Sequence, residues 1–243
     1  MSLARRASAE FAGTALLVAA VVGSGIAATR LSPTDVGLQL LENAIATALA
    51  LGALILAFGP VSGAHFNPVV SAVDWWLGRR AGTGLTVRDL AGYAAAQVTG
   101  AIAGAALADL MFGLPAVAWS GTDRTGGNLW LAEVVATAGL VVLIFALARS
   151  GRATAAPAAV GAYIGAAYWF TSSTSFANPA VTVGRAFTDT FAGIAPASVP
   201  GFVAAQVVGG LVAVAALAVW YPQVGRSADA VVVPHPTEET ALR

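Results

Sequence analysis

Two asparagine–proline pairs, Asn67-Pro68 and Asn178-Pro179, are the residues of this chain best suited to act on a solute. Asparagine is a favoured helix N-cap, and proline is a favoured first helical residue because it has no N–H to leave unpaired. Each pair therefore predicts the start of a helix. The side-chain amides at these starts offer hydrogen-bond donors, which suit a neutral, hydroxylated solute.

Little else in the sequence could carry chemistry. The chain has no cysteine and 2 histidines, which excludes disulfides and thiol nucleophiles. It contains no paired carboxylates, no histidine cluster and no nucleophile–base set, so we expect no enzyme activity, no metal and no cofactor. Its 12 arginines balance 12 acids, and a net charge of zero gives no reason to expect nucleic acid as a partner.

The composition indicates a membrane protein. Of 243 residues, 58% are hydrophobic and 10% charged, whereas soluble domains carry about 25% charge. A helix needs roughly 20 apolar residues to cross a bilayer. Six such segments are predicted, near 10–29, 40–58, 88–111, 130–149, 154–170 and 199–221. Two apolar stretches, 67–77 and 178–190, are too short to cross and are predicted to be half-helices.

The chain repeats three landmarks in the same order: an Ala-Glu pair, an Asn-Pro pair and an Ala-Ala-Gln-Val segment. Each copy contains three predicted spans, an odd number, so the second copy must have the opposite orientation in the bilayer. We predict inverted repeats at 1–111 and 112–221, followed by a cytoplasmic tail at 222–243. Inverted repeats place a functional site near the bilayer midplane.

Arginine placement predicts the orientation of the bundle. Nine of the 12 arginines share one implied face, and three fall on the other, namely Arg30, Arg124 and Arg185. The positive-inside rule then puts both termini in the cytoplasm. We expect a multi-pass protein of the plasma or inner membrane.

At this point the sequence resembles the aquaporin and aquaglyceroporin (major intrinsic protein) family over almost all of residues 9–221. The motifs that carry the resemblance are Ala9-Glu10-Phe11-Ala12-Gly13-Thr14, Ser62-Gly63-Ala64-His65-Phe66-Asn67-Pro68, Gln97, Glu133, Asn178-Pro179-Ala180 and Gln206. The resemblance implies an all-α bundle of six transmembrane helices and two re-entrant half-helices. It also implies one pore per subunit, a homotetramer in the lipid bilayer, and passive conduction of water or small neutral solutes.

The family resemblance assigns roles to several residues. It implies that Asn67-Pro68-Val69 and Asn178-Pro179-Ala180 meet at the pore centre. Glu10 and Glu133 are expected to brace the half-helix loops, although a proton relay is an alternative. Gln97 and Gln206 are expected to form interhelical hydrogen bonds rather than to line the pore. His65 is expected to flank the inner approach, mainly through its backbone carbonyl, with a pH gate as the alternative.

The sequence departs from the family at the outer filter. Most members have an arginine directly after the second Asn-Pro-Ala, where this chain has Val181. The other filter positions align without gaps with Thr47, Ala166 and Ser175, although a slip of one residue would substitute Ala167 or Gly165 for Ala166. All four are small and uncharged, so we predict a wide constriction. Arg185 could reach the outer mouth and partly restore the charge. We favour instead an ion pair between Arg185 and Asp189, as residues four apart on a helix often form.

The altered filter is similar to that of bacterial members linked with arsenic resistance. They share Asn178-Pro179-Ala180-Val181-Thr182 and the stretch at 188–194. We therefore expect passage of neutral metalloid hydroxides such as arsenous acid, besides glycerol and water. A general water and glycerol channel is the first alternative. An ion-coupled secondary transporter is the second, but it would need cation-binding groups at the midplane.

Overall fold

The structure is a computed structural model, and it describes residues 1–224 and Arg226. The described residues form eight α-helices and contain no strand. The helices are α1 Leu3–Leu31, α2 Val36–Ser62, α3 Pro68–Gly78, α4 Val87–Met111, α5 Gly127–Arg149, α6 Ala156–Phe170, α7 Pro179–Gly184 and α8 Val199–Trp220. Short 3-10 turns lie at Ala153–Ala155, Arg185–Phe187 and Pro196–Ser198.

The long helices match the predicted membrane spans to within a few residues at most ends. Five of them, α1, α2, α4, α5 and α8, are long and apolar enough to cross a membrane. The sixth predicted span is α6, which has 15 residues and follows a 3-10 turn. It is shorter, about 22 Å at 1.5 Å per residue. We call the side of the N-terminus inner and the opposite side outer.

The long helices pack in the same pattern in the two halves of the chain. In the first half α1 packs against α2 and α4, and in the second half α5 packs against α6 and α8. Each half-helix also contacts the last helix of the other half, α7 against α4 and α3 against α8. The arrangement is that of inverted repeats whose half-helices meet at the centre. The boundaries at 111 and 221 stay a proposal.

Glycines allow the long helices to approach closely. A Cβ atom at Gly100 or Gly104 of α4 would overlap the carbonyl oxygen of Phe11 or Ala15 in α1. A Cβ at Gly209 of α8 would come within 2.6 Å of the Val134 carbonyl oxygen in α5. In lipid, apolar side chains gain little from burial between helices, so close van der Waals contact drives helix association. Small residues such as these glycines permit that contact.

The second half-helix is shorter than predicted. We expected it to extend over 178–190, but α7 ends at Gly184 and a 3-10 turn follows. The outer loop explains this difference. The Ala186 and Phe187 carbonyls accept hydrogen bonds from the Ser120 and Ala118 amides, at 3.1 and 3.0 Å, instead of bonding a further helical turn. Of the predicted tail, residues 225 and 227–243 lie outside the described residues.

The close packing of α1 and α4 predicts an unusual response to alanine. Ala normally stabilises a helix relative to Gly by about 1 kcal/mol, but Gly104→Ala has no room for its methyl group. We expect this variant to lower the thermal midpoint in detergent by about 5 °C. Gly127→Ala is the control, because nothing lies within 4 Å of its Cβ position. An equal or higher midpoint for Gly104→Ala would contradict this account of the packing.

Candidate functional site

The two asparagines bind each other's loops across the centre of the bundle. The Asn67 Nδ2 donates to the Ala177 carbonyl at 2.7 Å, and the Asn178 Nδ2 donates to the Phe66 carbonyl at 2.7 Å. Both side-chain oxygens act as N-caps, with Asn67 accepting from Val69 N and Asn178 from Ala180 N, each at 3.0 Å. The structure therefore brings the predicted pair together, with α3 and α7 beginning at one point.

The loops that lead into the half-helices have strained backbone. Ala64 and Phe66 have φ of 50° and 48°, and their repeat counterparts Ser175 and Ala177 have 48° and 47°. Residues with a Cβ rarely adopt these left-handed angles. Strained backbone of this kind persists only where the surroundings over-determine it, and it often lies at functional sites.

Two buried glutamates hold this strained backbone. The carboxylate of Glu10 accepts from the His65 and Phe66 amides at 3.0 and 2.7 Å. It also accepts from Ser62 Oγ at 2.6 Å and Gln97 Nε2 at 2.8 Å. Both oxygens are therefore occupied by four donors. Glu10 does not line the cavity described below, and its role as a brace stays a prediction.

The second half repeats the same bonds. Glu133 accepts from the Phe176 and Ala177 amides at 2.9 and 2.8 Å. It also accepts from Ser173 Oγ and Gln206 Nε2, each at 2.6 Å. Gln206, like Gln97, is fully buried and lies off the cavity. Gln97 of α4 donates to Glu10 of α1, and Gln206 of α8 donates to Glu133 of α5, so both hydrogen bonds join two helices.

Both asparagines line a single cavity. Its walls are mostly apolar and again symmetric, with Leu17 and Val21 from α1 opposite Leu140 and Ile144 from α5. Polar groups reach it from the two loops and from both ends. The inner end includes His65, and the outer end includes Thr47, Ser175, Tyr168, Val181 and Arg185. The cavity thus offers a solute a few hydrogen-bonding groups on an otherwise apolar wall.

Three of the four predicted filter residues line the cavity, but Ala166 does not. Thr47, Ser175 and Val181 lie in its wall, whereas Ala166 is exposed on the outside of α6. Helical periodicity explains the error, because Val160, Ile164 and Tyr168 are four residues apart and share the inward face. Tyr168 is large, and its hydroxyl donates to Thr47 Oγ1 at 3.3 Å. The outer end is therefore not formed by small side chains alone.

The expected ion pair between Arg185 and Asp189 does not form. Since the helix ends at Gly184, the two residues do not share a helical face. The Asp189 carboxylate accepts from the Gly121 amide at 3.0 Å. Arg185 instead points into the bundle, where its Nε donates to the Ala192 carbonyl and its guanidinium covers the Phe176 ring. The alternative, a cation at the outer mouth, agrees with this position.

His65 lines the inner part of the cavity, as expected. Its Nδ1 lies 3.0 Å from Ser71 Oγ, and its ring packs edge-on against Tyr93 at 5.5 Å. Gln97 Nε2 donates to the same Ser71 oxygen at 3.1 Å. The imidazole is thus part of the same buried network as Glu10.

Sequence reasoning missed several residues of the site. Ser62 and Ser173 cap the glutamate network, and their equal spacing from Asn67 and Asn178 would have identified them. Phe176 takes the place in the second loop that His65 takes in the first, and the same spacing reveals it. Tyr168 had no motif to mark it. Among residues 1–224 and Arg226, no group of three His, Cys, Asp or Glu could hold a metal ion.

A cavity lined by both asparagines, where two half-helices begin within a bundle of long apolar helices, is the arrangement of a solute channel. The chain belongs to the major intrinsic protein family, whose model matches residues 1–177. The family consists of passive channels for small neutral solutes rather than enzymes, and its members are multi-pass membrane proteins. This chain is therefore a passive channel for small neutral solutes and a multi-pass membrane protein.

Similar proteins include both curated relatives and solved structures. The chain is 55% identical to aquaglyceroporin AqpS of Rhizobium meliloti (strain 1021) over 213 residues, which are 88% of each chain. It is 32% identical to aquaporin AqpM of Methanothermobacter marburgensis over 63% of this chain and 69% of that one. The X-ray structure of the aquaglyceroporin from Plasmodium falciparum matches 92% of this chain and 99% of its own with a TM-score of 0.66. At 21% identity, that structure supports the fold alone.

The glutamate brace predicts a loss of folding rather than of selectivity. Glu133→Gln replaces an acceptor of four hydrogen bonds by an amide whose NH2 group faces other donors. We expect a loss of about 3 kcal/mol in stability, measured as folded yield and thermal midpoint in detergent. Glu42→Gln is the control, since Glu42 accepts from Ser32 Oγ near the end of α1, away from the cavity. If Glu133→Gln folds normally but changes which solutes pass, the brace is the wrong role.

Proposed function

We propose that this chain is a passive channel whose outer constriction admits neutral polyhydroxylated solutes larger than water, including glycerol and arsenous acid. The observation that carries the proposal is the cavity wall at Val181. In most of the family an arginine fills this place, whereas here Val181 lines the cavity together with Thr47 and Ser175. Arsenous acid is a neutral trihydroxide at neutral pH and resembles a small polyol in size and hydrogen bonding.

The polar groups of the cavity suit such a solute. Each asparagine amide uses one hydrogen for the opposite loop, and within the described part of the chain its other hydrogen has no protein acceptor. These hydrogens, with the loop carbonyls, can replace the water bound to a hydroxyl group. The apolar wall opposite accepts a carbon skeleton. A neutral solute therefore exchanges hydration for fixed donors and acceptors as it passes.

In this proposal the N-termini of the two half-helices, α3 and α7, exclude cations. Half-helix N-termini carry partial positive charge, and α3, with 11 residues, directs its N-terminus at the cavity. The second half-helix has only 6 residues and contributes fewer aligned peptides. Helix dipoles therefore contribute less to cation exclusion here than they would in a channel with two long half-helices.

The competing functions differ in what they require. A general water and glycerol channel needs the same cavity without metalloid passage, and only flux distinguishes it from our proposal. A secondary transporter would need titratable or cation-binding side chains at the midplane. The two buried glutamates, Glu10 and Glu133, do not line the cavity and are occupied by donors.

We also propose the arrangement in the cell. The chain is expected to form a homotetramer with one pore per subunit, in the plasma or inner membrane. Both termini are expected in the cytoplasm, because the arginine distribution favours that orientation. The predicted boundaries of the two repeats, 1–111 and 112–221, belong to the same proposal.

A panel of solutes in proteoliposomes tests the proposed function. We expect purified protein to conduct water, glycerol and arsenite, with no accumulation above the external concentration. Water flux without glycerol or arsenite flux would contradict the wide filter. Glycerol flux without arsenite flux would establish the general channel instead. Concentrative uptake would favour the transporter.

Narrowing the filter tests the role of Val181. Val181→Arg places a long side chain in the outer constriction, so we expect glycerol and arsenite flux to fall about tenfold while water flux changes less. Val117→Arg is the matched control, because Val117 lies in the outer loop and is half-exposed. An equal fall in all three fluxes would mean that Val181→Arg blocks the pore rather than narrowing its selectivity.

A further inference from the structure

Arg185 is a buried cation in the wall of the cavity. It lies just after α7, and only 3% of its surface is exposed. Its Nε donates to the Ala192 carbonyl, and its guanidinium carbon lies 3.4 Å from the centre of the Phe176 ring. The side chain is therefore fixed at the outer end of the cavity by one hydrogen bond and one aromatic face.

Among the described residues, no carboxylate forms an ion pair with this guanidinium. Over residues 1–224 and Arg226, one ion pair is found, between Arg6 and Asp89 on the inner side. The nearby outer acids have other partners, since Asp109 accepts from Thr188 Oγ1 and Asp189 from the Gly121 amide. Glu133 lies behind the Phe176 backbone and is occupied by its own donors. The guanidinium of Arg185 therefore has no carboxylate of the described part of the chain in direct contact, and it lines the cavity.

A second arginine strengthens this outer positive field. The guanidinium carbon of Arg124 is 5.2 Å from the centre of the same Phe176 ring, and its Nε donates to the Gly193 carbonyl at 2.8 Å. Arg124 does not line the cavity. The carbonyls of adjacent residues, Ala192 and Gly193, therefore orient two cations on one aromatic ring.

We propose that Arg185 is a specificity-determining residue, which supplies the filter charge from one turn beyond Val181. Charge and width are then set by separate residues. Arg185 repels cations and donates hydrogen bonds to hydroxyl oxygens, while Val181 keeps the constriction wide enough for neutral polyols. The inference rests on the proposed function, because it assigns the cation exclusion of that same pore.

The first test removes the charge. Native protein and Arg185→Gln are compared in proteoliposomes for sodium, proton and glycerol flux. A unit charge several ångströms from a passing cation in a partly hydrated site changes cation permeation by about 10- to 100-fold. We therefore expect sodium and proton leak to rise at least about tenfold in Arg185→Gln relative to native protein.

Arg30→Gln is the matched control. Arg30 is also an outer arginine that donates to a backbone carbonyl, that of Phe112 at 2.9 Å, and covers an aromatic ring at 5.1 Å. It is exposed and does not line the cavity. Equal leak in both variants would indicate a general surface-charge effect and overturn the proposal. Unchanged cation exclusion in folded Arg185→Gln would also overturn it.

If Arg185→Gln does not fold, Arg185→Lys is the variant that tests the proposal. Arg185→Lys keeps the charge, but a buried lysine loses its proton at far lower pH than arginine does. We expect Arg185→Lys to exclude sodium at pH 6.5 and to leak as the pH rises to about 9.5, while native protein and Arg30→Lys exclude it throughout. Sodium exclusion independent of pH in Arg185→Lys would overturn the proposal. Absence of glycerol flux in native protein would instead contradict the proposed function, so the two failures are distinguishable.

Discussion

Backbone groups in the centre of a bilayer have no water to bond, and this constraint governs the structure. Two half-helices can begin at the midplane only if the loops before them find partners inside the protein. Here each loop is held from behind by a glutamate and from the front by the asparagine of the other loop. The amides thus face the scaffold, while the carbonyls beyond them stay available to the cavity.

The two halves meet this constraint in the same way but differ at the outer end. Glu10, Ser62 and Gln97 have counterparts in Glu133, Ser173 and Gln206, with similar distances. At the periphery the symmetry ends, since His65 corresponds to Phe176. The second half also carries Arg185 in the cavity wall. The scaffold is therefore shared by the repeats, whereas the chemistry of the two ends is specific to each.

The sequence predicts the fold well because its signals are local and repeated. Helix-start residues such as Asn67 and Asn178, and the apolar length of each span, depend on a few neighbouring residues. The filter was harder to predict because it depends on rotation and on tertiary contacts. A shift of two residues on α6 placed Ala166 where Tyr168 lies. The position of Arg185 depends on an outer loop that ends α7 early, and no pattern near residue 185 indicates that loop.

The reciprocal bonds of Asn67 and Asn178 also bear on how the protein is made. Residues 67 and 66 come early in synthesis, but their partners follow about 110 residues later. The first half alone therefore lacks the partners of one central amide and one central carbonyl. Formation of the passage requires both halves, and neither half encloses it alone.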